Sequence, residues 1–501
     1  MSYMTVAAII VAYFIVLFII AYITGRKADN ASFFLGNRRS PWYIVSIGMI
    51  GSSISGVTFI SVPGWVAESS LSYLQMVAGF VSGYFVIALI LLPLYYRLKL
   101  TSIYSYLKDR FGHNSYKSGS LLFIVSKTVG ASGRLYLMAS VLQLALFDAL
   151  NVPFWLTVVF AIGLIWIYTF RGGIKTVIWT DMLQTLAMLG AVVITIIYIG
   201  RELYPNFSSM VKGIVTSDMS SIFIWDPGSP RHFLKQFLSG AFITIVMTGL
   251  DQDMMQKNLT CKSLKEAQKN MYWYGSAFLP VNLLFLSLGI LLYTYVNHIG
   301  IATPERADDL YPMLALGNYF PPIVGVLFII GLVAAAYSSG DSALTSLTTA
   351  FSIDILGIDK MPDPKAKKLR MLTHVGFSIT TILVILGFRA LHQDSIIDTI
   401  YVLAGYTYGP LLGLYSFGLF TKYRIRDNLV VLAAILPPLL TGILDFNSMN
   451  WFGFAFGYEK LMINGALTFL ILWLIRRKEQ AGAMKSENFT QAGITLQKTI
   501  N

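Results

Sequence analysis

The sequence predicts an all-α polytopic membrane protein, and three observations carry that prediction: composition, recurrent apolar runs and the placement of basic residues. Of 501 residues, 55% are apolar and only 12% are charged, about half the charged share of an ordinary soluble domain. Apolar runs of about 20 residues, each long enough for a hydrocarbon core roughly 30 Å thick, recur along nearly the whole chain. They lie near 3–24, 42–66, 70–96, 119–148, 153–171, 174–200, 232–251, 270–297, 320–353, 372–390, 395–421, 427–445 and 459–475, which makes about 13 transmembrane helices. The first run has no basic residue in front of it, is too long for a signal-peptide core and lacks a small-residue cleavage pattern. It is therefore expected to stay as a membrane helix.

With the N-terminus outside, the predicted cytoplasmic segments hold 28 Lys and Arg and the opposite side holds seven. That is the bias of the positive-inside rule, and it places the C-terminus in the cytoplasm. The net charge of +12 has this topological origin and does not call for nucleic acid. A single cysteine, Cys261, excludes an internal disulfide and a cysteine zinc site, and the five scattered histidines have no ligand-like spacing. No structural metal is expected. Neither an HExxH nor a GxSxG element is present, so the chain does not read as an enzyme.

Six segments follow: an extra helix and linker (1–41), five spans (42–201), an extracellular loop (202–231), five more spans (232–421), two C-terminal helices (422–478) and a cytoplasmic tail (479–501). Five is odd, so the two groups must have opposite topology. This is the geometry of an inverted repeat, in which the first helix of each half is commonly interrupted. In the first group Gly51-Ser52-Ser53-Ile54-Ser55-Gly56, with Pro63 further on, interrupts an apolar span. A broken helix frees carbonyls for coordination; the same small residues also read as a packing seam for a neighbouring helix. The seventh span ends at Leu250-Asp251-Gln252-Asp253 and reads either as one short helix or as two half-helices extending toward 258.

Polar residues at membrane depth mark the candidate site. Ser338, Asp341 and Ser342 share a helix face, and Ser339 adjoins it one turn above Ala335. An aspartate among hydroxyls in a membrane helix is a functional candidate, and this oxygen set suits a small hard cation. Asp181, about two turns into its span, needs either a bound cation or a basic partner from the cytoplasmic side. Arg134, halfway along the fourth span, needs an anion: Asp341, Asp181 or the carboxylate of a substrate. Lys127, two turns nearer the cytoplasm, is expected to snorkel.

Four segments taken together carry a family resemblance: Gly172-Gly173-Ile174, Trp179-Thr180-Asp181, Ala335 to Ser342 running on to Phe351-Ser352-Ile353-Asp354, and Asp251-Gln252-Asp253-Met254-Met255-Gln256-Lys257. Over residues 3–480 the chain resembles the sodium:solute symporters, the group of bacterial proline, galactose and sialic acid transporters and mammalian glucose and iodide symporters. The resemblance implies a LeuT-type fold of two inverted five-helix repeats, a multi-pass protein of the plasma (inner) membrane, functional as a monomer in the lipid bilayer. It implies import of a small organic solute coupled to Na+, with one or two ions per cycle.

Carried over by position, the resemblance implies a main Na+ site at the carbonyls of Gly51, Ile54 and Ala335 and the hydroxyls of Ser338 and Ser339. A second site, found in some members, would fall on Asp181, Asp341 and Ser342. Sialic acid transporters resemble Ser-Ser where this chain has Asp341-Ser342, and the extra carboxylate would tighten a second cation or carry a proton. For the solute, Ser53, Ser55 and Thr58 match hydroxyl-bearing positions of the sialic acid branch and Arg134 matches its carboxylate-binding arginine. That branch's glutamine falls on Val77, with Gln75 close by as the candidate. A sugar acid such as sialic acid is the expected substrate; the alternative is Na+- or H+-coupled symport of a neutral sugar or a monocarboxylate.

Overall fold

A computed structural model of the protein describes residues 3–26, 29–170, 172–229, 231–391, 396–454 and 456–477. The expected tail at 479–501 lies outside the described residues. The chain is helical almost throughout; the strands among the described residues are a two-residue antiparallel pair, Arg424–Ile425 with Arg476–Arg477. Each predicted span falls on a helix or on a bent pair of helices. Eight described helices are long and apolar enough to cross a membrane, or ten if each of two bent pairs counts as one span. Phe154–Thr169 and Lys460–Leu474 are shorter apolar helices.

The two bends fall where each group of five begins. Trp42–Ser53 and Thr58–Gly64 meet at 59°, and Phe233–Gly249 and Gln252–Asn258 meet at 69°. In the first, Ile54 (ψ 83°) and Ser55 (ψ 172°) leave helical geometry, so the N–H groups that follow no longer point at the carbonyls one turn back. In the second, the break lies at Leu250 and Asp251. The Asp251 carboxylate accepts from the N–H of Asp253 (2.8 Å) and of Met254 (3.4 Å), and so caps the half-helix that follows. Of the two alternatives for the seventh span, the structure takes the half-helices.

Helix Pro322–Ala350 is the axis of the molecule, and every residue from Gly331 through Ala350 is buried. Small residues there let neighbours approach closely, which drives packing where lipid removes the hydrophobic incentive. The first helix, Tyr3–Gly25, lies at the edge, touching the axis through an edge-on contact of Phe14 with Tyr337 (ring centroids 4.9 Å apart). Glycines matter most in the first bent pair. A Cβ on Gly48 would lie 2.9 Å from Asp181 Cβ, and one on Gly51 would collide with the Thr185 hydroxyl. Trp42–Ser53 is thus pressed against Ile174–Leu203 at the level of Asp181. The segment thus holds both a seam, at Gly48 and Gly51, and a helix break, at Ile54 and Ser55.

Candidate functional site

Three elements converge on Asp181, whose side chain is fully buried. Ser338, from the axial helix, donates to Oδ1 at 2.6 Å. Ser52, on the last turn before the break, donates to Oδ2 at 3.0 Å, and Ser342 donates to the same oxygen at 3.4 Å. The third element brings a cation: Lys257 Nζ lies 2.8 Å from Asp181 Oδ2, with the lysine side chain 1% exposed. The same ammonium donates to Ser52 Oγ and lies 4.0 Å from Asp253 Oδ1. Asp181 therefore has the basic partner its burial demands, and that partner comes from the second bent pair.

The two elements that carry the five residues expected to hold Na+ meet at Ser52 and Ser338. Gly51, Ile54, Ala335, Ser338 and Ser339 are all buried. Ser52 Oγ and Ser338 Oγ lie 3.1 Å apart, so the break of the first bent pair faces the axial helix at the Ser338 turn. Ser338 spends its proton on Asp181, which leaves its lone pairs available to a cation. Ser339 donates to the Ala335 carbonyl at 3.3 Å. Asp341 is fully buried and close by; it accepts from Tyr168 OH at 2.8 Å and, more weakly, from Thr180 and Ser342 hydroxyls at 3.4 Å each. Neither Asp181 nor Asp341 pairs with Arg134.

Arg134 instead lines a cavity of about 110 Å³ together with Ser53, Thr58, Tyr84, Asn282 and Tyr408. It is half-buried and makes no hydrogen bond or ion pair with any described residue. Ser53 shares a short hydrogen bond (2.5 Å) with Tyr274 OH, which lies 2.8 Å from Tyr84 OH. Asn282 donates to the Phe278 carbonyl at 2.8 Å, and its Oδ1 is buried without a partner among the described residues. A guanidinium, several hydroxyls and an open amide oxygen therefore meet in one space.

Two expectations need revision. Lys127 does not snorkel: its ammonium lies 2.7 Å from Asp253 Oδ2 and 3.3 Å from Asp251 Oδ2, and Tyr408 OH donates to the same Asp251 oxygen at 2.5 Å. Two carboxylates on the polar half-helix hold it more strongly than interfacial water would. Gln75 does not line the cavity. It bonds backbone of the 202–231 segment, accepting from Ile224 N–H and donating to the Arg231 carbonyl at 3.1 Å each. Ser55 is buried at the break and also lies outside the cavity lining. Sequence reasoning missed Ser52, Lys257 and Asn282. Asp253 followed four residues later by Lys257 on a polar half-helix was the available signal for the lysine.

A sequence model of the sodium:solute symporter family matches residues 33–427. The sodium/sialic acid symporter SiaT of Proteus mirabilis is 25% identical over 465 residues, covering 89% of this chain and 91% of that protein. The sodium/sialic acid symporter NanT of Aliivibrio fischeri is 25% identical over 475 residues, 89% of each. Mouse sodium-coupled monocarboxylate transporter 1 is 25% identical over 416 residues, covering 80% of this chain and 66% of that protein. A solved Na+-coupled sialic acid symporter, substrate-bound and outward-open, superimposes with a TM-score of 0.81 at 20% identity over 95% of this chain and 99% of that one. A nucleobase-cation-symport-1 family transporter superimposes with a TM-score of 0.54 at 16% identity, over 93% and 98%. The fold is that of these transporters, and the chain belongs to the sodium:solute symporter family: it is a sodium-coupled secondary transporter of a small organic solute and not an enzyme.

Proposed function

We propose that the protein imports a sugar acid of the sialic acid type, driven by Na+. The observation that carries the substrate class is Arg134: a half-buried guanidinium that lines a hydroxyl-rich cavity and makes no ion pair with a described residue, Asp253 acting on it only at longer range. A central guanidinium without a directly bonded anion is costly, and a substrate carboxylate received bidentately reduces that cost during occupancy. Ser53, Thr58 and the free Asn282 oxygen supply partners for sugar hydroxyls. The similarity to two named sialic acid symporters over nine-tenths of the chain supports the same class.

Na+ binds between the break of the first bent pair and the axial helix, through Gly51, Ile54, Ala335, Ser338 and Ser339. It thereby ties two elements whose relative position decides which side is open, favouring the form that captures substrate. The two bent pairs at corresponding places support inverted repeats at 42–201 and 232–421, and the distribution of basic residues supports an N-terminus outside and a C-terminus in the cytoplasm of a plasma (inner) membrane. The cavity, at about 110 Å³, is smaller than the roughly 300 Å³ at which ligand pockets usually begin. Substrate entry therefore requires the elements around it to separate, as alternating access does. Asp181, Asp341 and Ser342 form the place for a second positive charge.

Uptake of labelled sugars, sugar acids and monocarboxylates into proteoliposomes, with and without a Na+ gradient, tests the substrate class. Accumulation of N-acetylneuraminate in preference to glucose and pyruvate is expected. Preference for either of those moves the assignment to a neutral sugar or a monocarboxylate.

A further inference from the structure

We propose that the second cation of this transporter is built into the chain: the Lys257 ammonium takes the position at Asp181 that a second Na+ would need, so one Na+ is bound per cycle. The inference rests on the sodium-coupled reading above and deepens it.

Three features support the inference. The first is the crowding of Asp181 Oδ2. A carboxylate offers about four acceptor positions, and Asp181 already accepts from Lys257 at 2.8 Å, Ser52 at 3.0 Å, Ser338 at 2.6 Å and Ser342 at 3.4 Å. Three of these contacts fall on Oδ2 and one on Oδ1, so a Na+ bound through Oδ2 has to displace the ammonium from it. The second is the lysine's environment. Its side chain is 1% exposed, its ammonium donates to Ser52 Oγ, and the Asp253 carboxylate lies on its other side at 4.0 Å. It cannot reach water without moving the half-helix that carries it.

The third feature is that this half-helix is anchored at both ends. Gln252 donates to the Thr101 carbonyl and accepts from Ile103 N–H, both at 2.9 Å. Gln256 donates to the Phe34 carbonyl at 2.8 Å and to the Thr349 hydroxyl at 3.0 Å. Lys257 is therefore a cation on a short fixed tether, present at its site in every cycle and never released. Because it links the second bent pair to Asp181 and to Ser52 at the break of the first, it does permanently what a second Na+ would do only when bound. With a monoanionic substrate, one Na+ makes the transported complex neutral overall, so the membrane potential does not drive uptake.

Equilibrium binding of ²²Na+ to the purified full-length protein reads this directly and needs no substrate. One ion per chain is expected for the wild type and two for Lys257→Gln, in which the vacated Asp181 becomes available. Two ions in the wild type, or one in a Lys257→Gln protein whose thermal unfolding is cooperative, overturns the inference, and no bound ²²Na+ overturns the sodium reading as well. If Lys257→Gln does not fold, the wild type alone still decides. N-acetylneuraminate uptake that ignores an inside-negative potential set with K+ and valinomycin supports one Na+, and uptake accelerated severalfold by that potential overturns it. Two ions per chain with Na+-driven uptake intact would leave the proposed function standing and remove only the tethered cation.

Discussion

Asp181 and Lys257 form a buried ion pair, 2.8 Å between Oδ2 and Nζ, at the point where the broken first helix of one five-helix group meets the broken first helix of the other. Ser52 joins it from the first break and Ser338 from the axial helix, so the pair sits beside the proposed Na+ site rather than in it. Ser338 thus joins the proposed sodium site to the pair, and Lys257 joins the pair to the second half-helix.

Ser339→Ala removes one proposed Na+ oxygen without touching Asp181. The Na+ concentration for half-maximal uptake should rise about fivefold, taking about 1 kcal/mol per lost ligand. Ser338→Ala should cost more, because it also strips a hydrogen bond from Asp181. An unchanged Na+ dependence in well-expressed Ser339→Ala excludes that hydroxyl from the site.

Arg134→Ala should abolish uptake of an acidic sugar while ²²Na+ binding persists. Arg134→Lys should fail as well, since a point charge does not reproduce the bidentate fork. Near-normal affinity for the acidic sugar in Arg134→Ala would show that the guanidinium is structural.

Lys127→Ala leaves Asp251 and Asp253 facing each other without the ammonium that now lies 3.3 and 2.7 Å from them. Removing one partner of a buried ionic cluster costs about 3 kcal/mol or more, visible as a drop in the thermal unfolding midpoint in detergent. Neutralising one acid along with the lysine (Lys127→Met, Asp253→Asn) should recover part of the loss. An additive further loss in the triple-mutant series with Asp251→Asn would show that the three groups do not act as a cluster.

How much of this was legible in the sequence depends on whether a signal is local or distant. The interruption at Gly51 to Gly56 could be read because glycine and serine lower helix propensity inside an apolar run. Asp181, Asp341 and Arg134 could be read because ionised groups at membrane depth are rare. Lys257 is harder to place: the i,i+4 spacing from Asp253 is a weak signal, and near the end of a short apolar run the residue counts among the 28 basic residues expected in the cytoplasm. Only the 69° turn at Asp251 carries it inward. The partners of Lys127 lie on a half-helix more than a hundred residues away, and Gln75 looked like a ligand because nothing local reveals that the 202–231 backbone binds it.

The central claim is that a Na+ gradient drives uptake of an acidic sugar, and the initial rate of labelled N-acetylneuraminate entry into proteoliposomes tests it most directly. An inward Na+ gradient imposed at equal internal and external pH should drive accumulation above equilibrium. An inward proton gradient without Na+ should not. Accumulation driven by the proton gradient alone, with no response to Na+, would contradict the account.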